Sequence, residues 1–267
     1  MTRSGLLGLA WLAILGLLAL AAPLIAPGDP LDFVARPLIP PLIDAAHPMG
    51  TDQFGRDVWA LLVHGARVSL MVGLAAAAGA ISLGILVGTL AGFLGGRVDD
   101  VLMRITEAFQ TVPTFILALA LVSALGPSTQ TVVAAIAISS WPATARLVRA
   151  EILSLRHREY VDAARMAGSR ELDIAFREVL PGALHPVVAL VGVTVGAAIL
   201  VESALAFLGL SDPNQVSWGG MIADGREAIR VAPFLVVIPG IAVALAVLAV
   251  SLVGDALGGR LAPQHRV

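Results

Sequence analysis

Lysine and cysteine are both missing from this 267-residue chain, and charged residues of any kind make up only 13% of it. Each shortage excludes something. Without cysteine there is no disulfide and no thiolate metal site, and the redox compartment is unreadable. Without lysine there is no P-loop amine for nucleotide phosphates and no Schiff-base nucleophile. If ATP drives this chain, another subunit holds it. The net charge of −2 implies no attraction to nucleic acid. The five histidines are scattered, with no pair at helical ligand spacing, so no metal site is expected. No serine–histidine–acid or paired-carboxylate arrangement stands out, so no catalytic residue is assigned and no enzyme activity is expected.

What the chain has in abundance is apolar. The hydrophobic fraction is 58% and the mean hydropathy is +0.90, whereas soluble domains carry about 25% charged residues. The class this points to is an all-α polytopic membrane protein. A span needs about 20 apolar residues. Uncharged runs cover 5–26, 68–96, 108–145, 186–210 and 231–254. The third would be ~57 Å long as one helix. It contains Gly126-Pro127-Ser128, which breaks helices. It is therefore read as two spans, 108–125 and 130–147, giving six in all. The first run follows Arg3 as a signal peptide would. It exceeds the ~7–15 residues of such a region, so a retained helix is expected.

Arginine sets the sides, because cytoplasmic loops carry the excess. With the N-terminus inside, twelve arginines fall on the inner side. Five fall outside: Arg36, Arg56, Arg67, Arg226 and Arg230. Both termini are expected in the cytoplasm. The expected organisation is a first helix and extracytoplasmic segment over 1–64, a transmembrane domain over 65–257 and a cytoplasmic tail over 258–267. Trp59 and Trp218 are expected at headgroup level. Gly84, Gly88 and Gly92 form a small-residue ladder suited to close helix packing.

The charges concentrate in one place. Thirteen lie between Arg146 and Glu178, in the long inner loop placed at 150–185. There, "EYVDAARMAGS" runs from Glu159 to Ser169. Tyr160, Ala163, Ala164 and Ala167 share one helical face at i, i+3, i+4 and i+7. That face is mostly methyl groups, so another backbone could approach it closely. Asp162 and Arg165 flank it. Gly168 suits the position just past a helix end, where positive φ is favoured. Ser169 is expected to cap a second short helix, with Glu171 in its first turn and Pro181 at its end.

This loop resembles the "EAA" loop of bacterial ABC-importer permeases. Asp162-Ala163-Ala164, three residues, Gly168, then Val179-Leu180-Pro181 follow that pattern. Aspartate stands for the usual glutamate. The likeness spans nearly the whole chain and is sharpest for the C-type subunits of dipeptide, oligopeptide and nickel permeases. "HPMGTDQFGRDVWALLVHGARVSL", "ESALAFLGL", "SWGGMIADGR" and "LVGDAL" occur in that family's order. Departures are Ser251, where asparagine is common, and Leu261-Ala262-Pro263, where the family reads leucine-aspartate-proline.

The resemblance implies a type I ABC-importer permease fold in a bacterial cytoplasmic membrane. It implies four partners: a homologous second permease, two ATPase subunits and an extracytoplasmic binding protein. ATP and Mg would sit on the ATPases, with no cofactor in this chain. Glu159 to Gly168 would be the coupling helix seated in an ATPase groove. Dipeptides or short oligopeptides are the leading cargo, with nickel chelates or another small solute as the alternative. A self-contained channel or secondary transporter is the rival class. It would predict an inverted repeat and more ionisable groups at mid-membrane, and neither is seen.

Two further sets of candidates remain. Glu202 lies inside the fifth span, where a carboxylate is a functional candidate. It could face the translocation path or bond a neighbouring helix. Asp52, Arg56, Asp57 and Arg226 lie on the outer side. They could contact a binding protein or serve as local caps.

Overall fold

The computed structural model describes residues 3–261, and their regular structure is helical, apart from two isolated bridges in the irregular segment 26–57. Five helices are long and apolar enough to cross a membrane: α1 (Arg3–Ile25), α2 (Val58–Leu94), α5 (Thr129–Leu155), α9 (His185–Phe207) and α11 (Phe234–Leu261). Residues 262–267, which include Ala262, Pro263 and Arg266 of the expected tail, lie outside the described residues.

The sixth span departs from expectation. α3 (Gly96–Thr111) and α4 (Thr114–Leu125) meet at a bend of 86°. The cause is local. Val112 precedes Pro113 and is extended, at φ −96° and ψ 127°, as the proline ring demands of its neighbour. The expected helix over 108–125 is therefore cut near its start. Residues 108–111 belong to α3, which carries Arg97, Asp99, Asp100, Arg104 and Glu107. α4 alone is ~18 Å long, short of the ~30 Å hydrocarbon layer. The turn from α4 to α5 forms as its sequence dictates. Gly126 takes φ +89°, and Ser128 caps α5 by accepting from the Thr131 amide at 3.2 Å.

α2 is the longest element, with 37 residues and a length of ~55 Å. It begins ten residues before its uncharged run because Asp57 caps it, accepting from the Trp59 amide at 3.0 Å. It ends at Gly95, φ +65°. The glycine ladder lies against α5. A Cβ on Gly84 would stand 2.5 Å from Thr144 Cβ, and one on Gly88 2.5 Å from the Ala145 carbonyl oxygen. One on Gly92 would stand 2.9 Å from Ile152 Cβ. α9 and α11 approach equally closely at Gly192 and Gly254.

Three buried clusters lie along the bundle. At the α2 N-terminal end, Leu15, Val58, Leu61, Ile199, Trp218 and Leu235 pack together. Val72, Val122, Ile136 and Leu205 fill the middle. At the other end Phe93, Val148 and Ile152 pack against the loop between α5 and α9 through Val161, Ile174 and Val179. Leucines on the outside of α1, such as Leu20 and Leu24, are exposed and suited to lipid.

Candidate functional site

α6 (Glu159–Met166) stands on the long loop between α5 and α9. Gly168 ends it at φ +82°, and the Ser169 amide returns to the Ala164 carbonyl at 3.1 Å. The helix has two faces. Val161 is fully buried, and Ala164 is half-buried beside it against the inner cluster. Tyr160, Ala163 and Ala167 are exposed, and Met166 is 90% exposed. The expected face thus needs one correction. Ala164 turns inward, because at i+3 from Val161 it follows the side that packs on Ile174 and Val179. Met166 takes its place outside, at i+3 from Ala163. Spacing alone did not separate Ala164 from Ala163, since adjacent alanines look alike. The signal for Met166 was its i+3 position.

Arg165 braces this helix. It donates to Asp162 at 3.2 Å and to both Glu171 oxygens at 3.0 and 3.3 Å, and it lies over the Phe93 ring. The Glu171 bonds, before all else, raise its pKa. Asp162 therefore serves an ion pair beside the exposed face. Glu159 is exposed in the first helical turn. Arg156, just before α6, donates to the Gly92 carbonyl at 3.0 Å. Two arginines of the loop thus hold the end of α2.

The second short helix also differs from expectation. α7 (Glu171–Asp173) starts after Arg170, without a side-chain cap, so Ser169 is not the capping residue. Pro181 does not end the segment. A π-helical turn (Ile174–Val179) leads into α8 (Leu180–Ala183), where Pro181 sits in the first turn. The missing proline amide costs nothing at that position.

At the opposite end, Glu202 is buried in α9, 3% exposed. Ser69 of α2 and Ser203 each donate to its Oε2 in long bonds of 3.4 Å. Ser69 Oγ also accepts from the Trp218 amide at 3.1 Å. Trp218 opens α10 (Trp218–Gly225), and its indole donates to the Leu62 carbonyl at 2.9 Å. Trp218 is therefore a buried residue and not a headgroup anchor. Gly219 lets α10 press in this far, since a Cβ there would meet Ser203 Cα at 2.5 Å.

The remaining candidates are engaged within the chain. Asp52 is buried, accepts from the Phe54 and Arg56 amides, and pairs with the Arg56 side chain. Arg56 also reaches Asp224 of α10 at 2.7 Å. Asp57 is the α2 cap. Arg226 donates to the Phe207 carbonyl at 3.2 Å and lies over the Phe207 ring. Asp212 binds the start of α5 through Thr129. Hydrogen bonds, first from the Asn214 amide and then from Thr129, hold its carboxyl below the usual carboxylate range. Among the described residues, no three His, Asp or Glu side chains gather as a metal ion requires.

A bundle of long apolar helices with glycine-tight contacts and a braced helix on one loop marks a polytopic membrane protein. The chain belongs to the family of binding-protein-dependent transport system inner membrane components, which matches residues 84–267. It is 38% identical to the di/tripeptide transport system permease protein DppC of Pseudomonas aeruginosa, over 98% of this chain and 88% of that one. The dipeptide transport system permease protein DppC of Alkalihalophilus pseudofirmus is 40% identical, over 83% of this chain and 73% of that one. The nickel transport system permease protein NikC of Escherichia coli K12 is 39% identical, over 96% and 93%. Among solved structures, an inward-facing form of the MetNI methionine ABC transporter matches with a TM-score of 0.63. That match covers 76% of this chain and 97% of the other, at 18% identity. It shows the type I importer permease fold.

Proposed function

We propose that this chain is the permease subunit of a peptide importer, contributing half of a path for dipeptides or short oligopeptides. The observation that carries the reading is the exposed face of α6. Tyr160, Ala163, Met166 and Ala167 form an apolar surface on a polar loop, with its helix fixed from behind. A groove of an ATPase subunit fits that surface. The relatives named for peptide transport favour peptide cargo; the nickel relative supports metal chelates as the second reading. A second permease, two ATPases and an extracytoplasmic binding protein complete the assembly. When the ATPases close, α6 moves with them. Its motion passes through Val161 to the inner cluster, and through Arg156 and Arg165 to α2.

Uptake tests this directly. The complex with its partners, in proteoliposomes, is expected to accumulate labelled dialanine only with ATP and binding protein. Nickel-chelate uptake without dipeptide uptake would establish the second reading instead.

Orientation has its own test. The arginine asymmetry supports an orientation with 29–58 outside, α6 inside and both termini cytoplasmic. The chain has no cysteine, so single ones can be introduced. Thr51 is buried and unsuitable, whereas Phe33 and Ser169 are exposed. An impermeant thiol reagent on intact cells is expected to label Phe33→Cys and spare Ser169→Cys. The reverse pattern would invert the orientation.

A further inference from the structure

Arg67 lies inside α2, away from either end of the helix. It lies nine residues past Val58, ~13.5 Å along α2, where the uncharged run begins. Its side chain is exposed and, among the described residues, makes no hydrogen bond or ion pair. Within α5, by contrast, Arg146 is bonded to Gln110, and Arg149 holds Asp99 through two bonds of 2.6 Å. An unpaired guanidinium on a span does not face hydrocarbon. It faces water, a ligand or a partner.

Beside it is a cavity of about 390 Å³, lined among others by Asp29, His64, Arg67, Met71, Asn214 and Gln215. That volume falls within the range of small-molecule sites. The cavity is open to one side and lined by three segments: α2, residues 29–31 and the loop at 214–216. His64 spends its Nε2–H on the Ala26 carbonyl at 3.0 Å, so Arg67 is the uncommitted cation. Val68 and Gln215 also line the small space beside Glu202, which sets this cavity next to the buried polar node.

We propose that Arg67 and this cavity form a carboxylate-binding subsite at the outer mouth of the path. It receives the C-terminal carboxylate of an incoming peptide. The proposal rests on the peptide-importer reading and its orientation. A guanidinium fork matches a carboxylate in two parallel bonds. Asn214 and Gln215 add amide groups suited to a peptide backbone. A lipid phosphate, or an acid of the second permease, offers the same charge but needs no amide-lined space of ligand size.

The experiment compares dialanine with dialanine amide, which keeps the size and loses the anion. Uptake is measured in the full complex with saturating loaded binding protein, for wild type, Arg67→Gln and Arg67→Lys. Arg67→Gln is expected to slow dialanine uptake roughly tenfold or more and to leave amide uptake at the wild-type rate. Arg67→Lys, retaining the charge, restores part of the loss. Equal slowing of both peptides overturns the subsite and assigns Arg67 to a lipid or partner contact. Wild-type rates in Arg67→Gln overturn it outright. If the wild-type complex takes up neither peptide, the peptide-cargo reading falls, and the subsite with it.

Discussion

Ala163→Arg is expected to abolish ATP-driven uptake and to strip the ATPase subunits from the purified complex. Ala163 is exposed at the centre of the apolar α6 face, between Tyr160, Met166 and Ala167. A groove that accepts a methyl group at backbone distance has no room for a guanidinium. Burying that charge unpaired adds a further penalty. Central residues of an interface cost roughly 2–4 kcal/mol when lost, and a clash there costs at least as much. The chain itself tolerates the change, because the new side chain points into water in the free loop. Abundance in the membrane is thus expected to stay at the wild-type level. Ala164→Arg is a poorer test. Its side chain is half-buried against the inner cluster, so it would unfold the loop and confuse docking with stability. Co-purification of the ATPases, read beside membrane abundance and uptake, decides the matter. If Ala163→Arg keeps its ATPases and transports at the wild-type rate, α6 is a solvated connector.

The sequence carried the bundle well and the directions within it poorly. Uncharged runs located five spans, because hydrocarbon imposes both length and composition, but the helix ends lie up to ten residues beyond those runs, as at the start of α2 and the end of α5. Gly126 and Ser128 marked the α4–α5 turn, and Gly168 marked the end of α6, since those conformations admit few residue types. The start of α2 was missed because a helix can begin in polar surroundings once Asp57 caps it. The break at Val112 was missed because no charge interrupts the run there; Pro113, which causes it, was the available signal. Trp218 was misplaced for a different reason. A tryptophan's depth depends on what its indole N–H finds, here the Leu62 carbonyl of a helix 156 residues away in sequence. The same limit applied to Asp52 and Arg56. Their types were legible as candidates, but the partner at Asp224 comes from α10. Arg67 was counted only as a charge on the outer side, and its lack of a partner is visible only in the fold.

The second large effect is expected at Gly88. α2 joins the two ends of the molecule. Arg156 and Arg165 hold its C-terminal end through Gly92 and Phe93, while Ser69 binds Glu202 and Trp218 nearer its N-terminal end. A helix of ~55 Å transmits motion between them only if it moves with its neighbour. The contact with α5 makes that so. At Gly88 a Cβ would lie 2.5 Å from the Ala145 carbonyl oxygen, 2.8 Å from Val148 Cβ and 3.0 Å from the Arg149 amide nitrogen. Two of these are backbone atoms and cannot rotate away, so relief requires the helices to part. In a bilayer, helix association rests on such close packing, since lipid is as apolar as the side chains. Gly88→Ala is expected to cost about 1–3 kcal/mol as an overpacked site. Gly88→Val, with two more carbons, is expected to prevent recovery of a monodisperse complex. Gly240→Ala is the control. Gly240 is also helical, but a Cβ there has nothing within 4 Å, and its stability is expected to match wild type. Thermal unfolding and size-exclusion profiles in detergent measure all three. A Gly88→Val complex that is monodisperse and melts with wild type would show that α2 and α5 are free to separate. In that case motion of α6 would have to reach the Glu202 node through α9 alone.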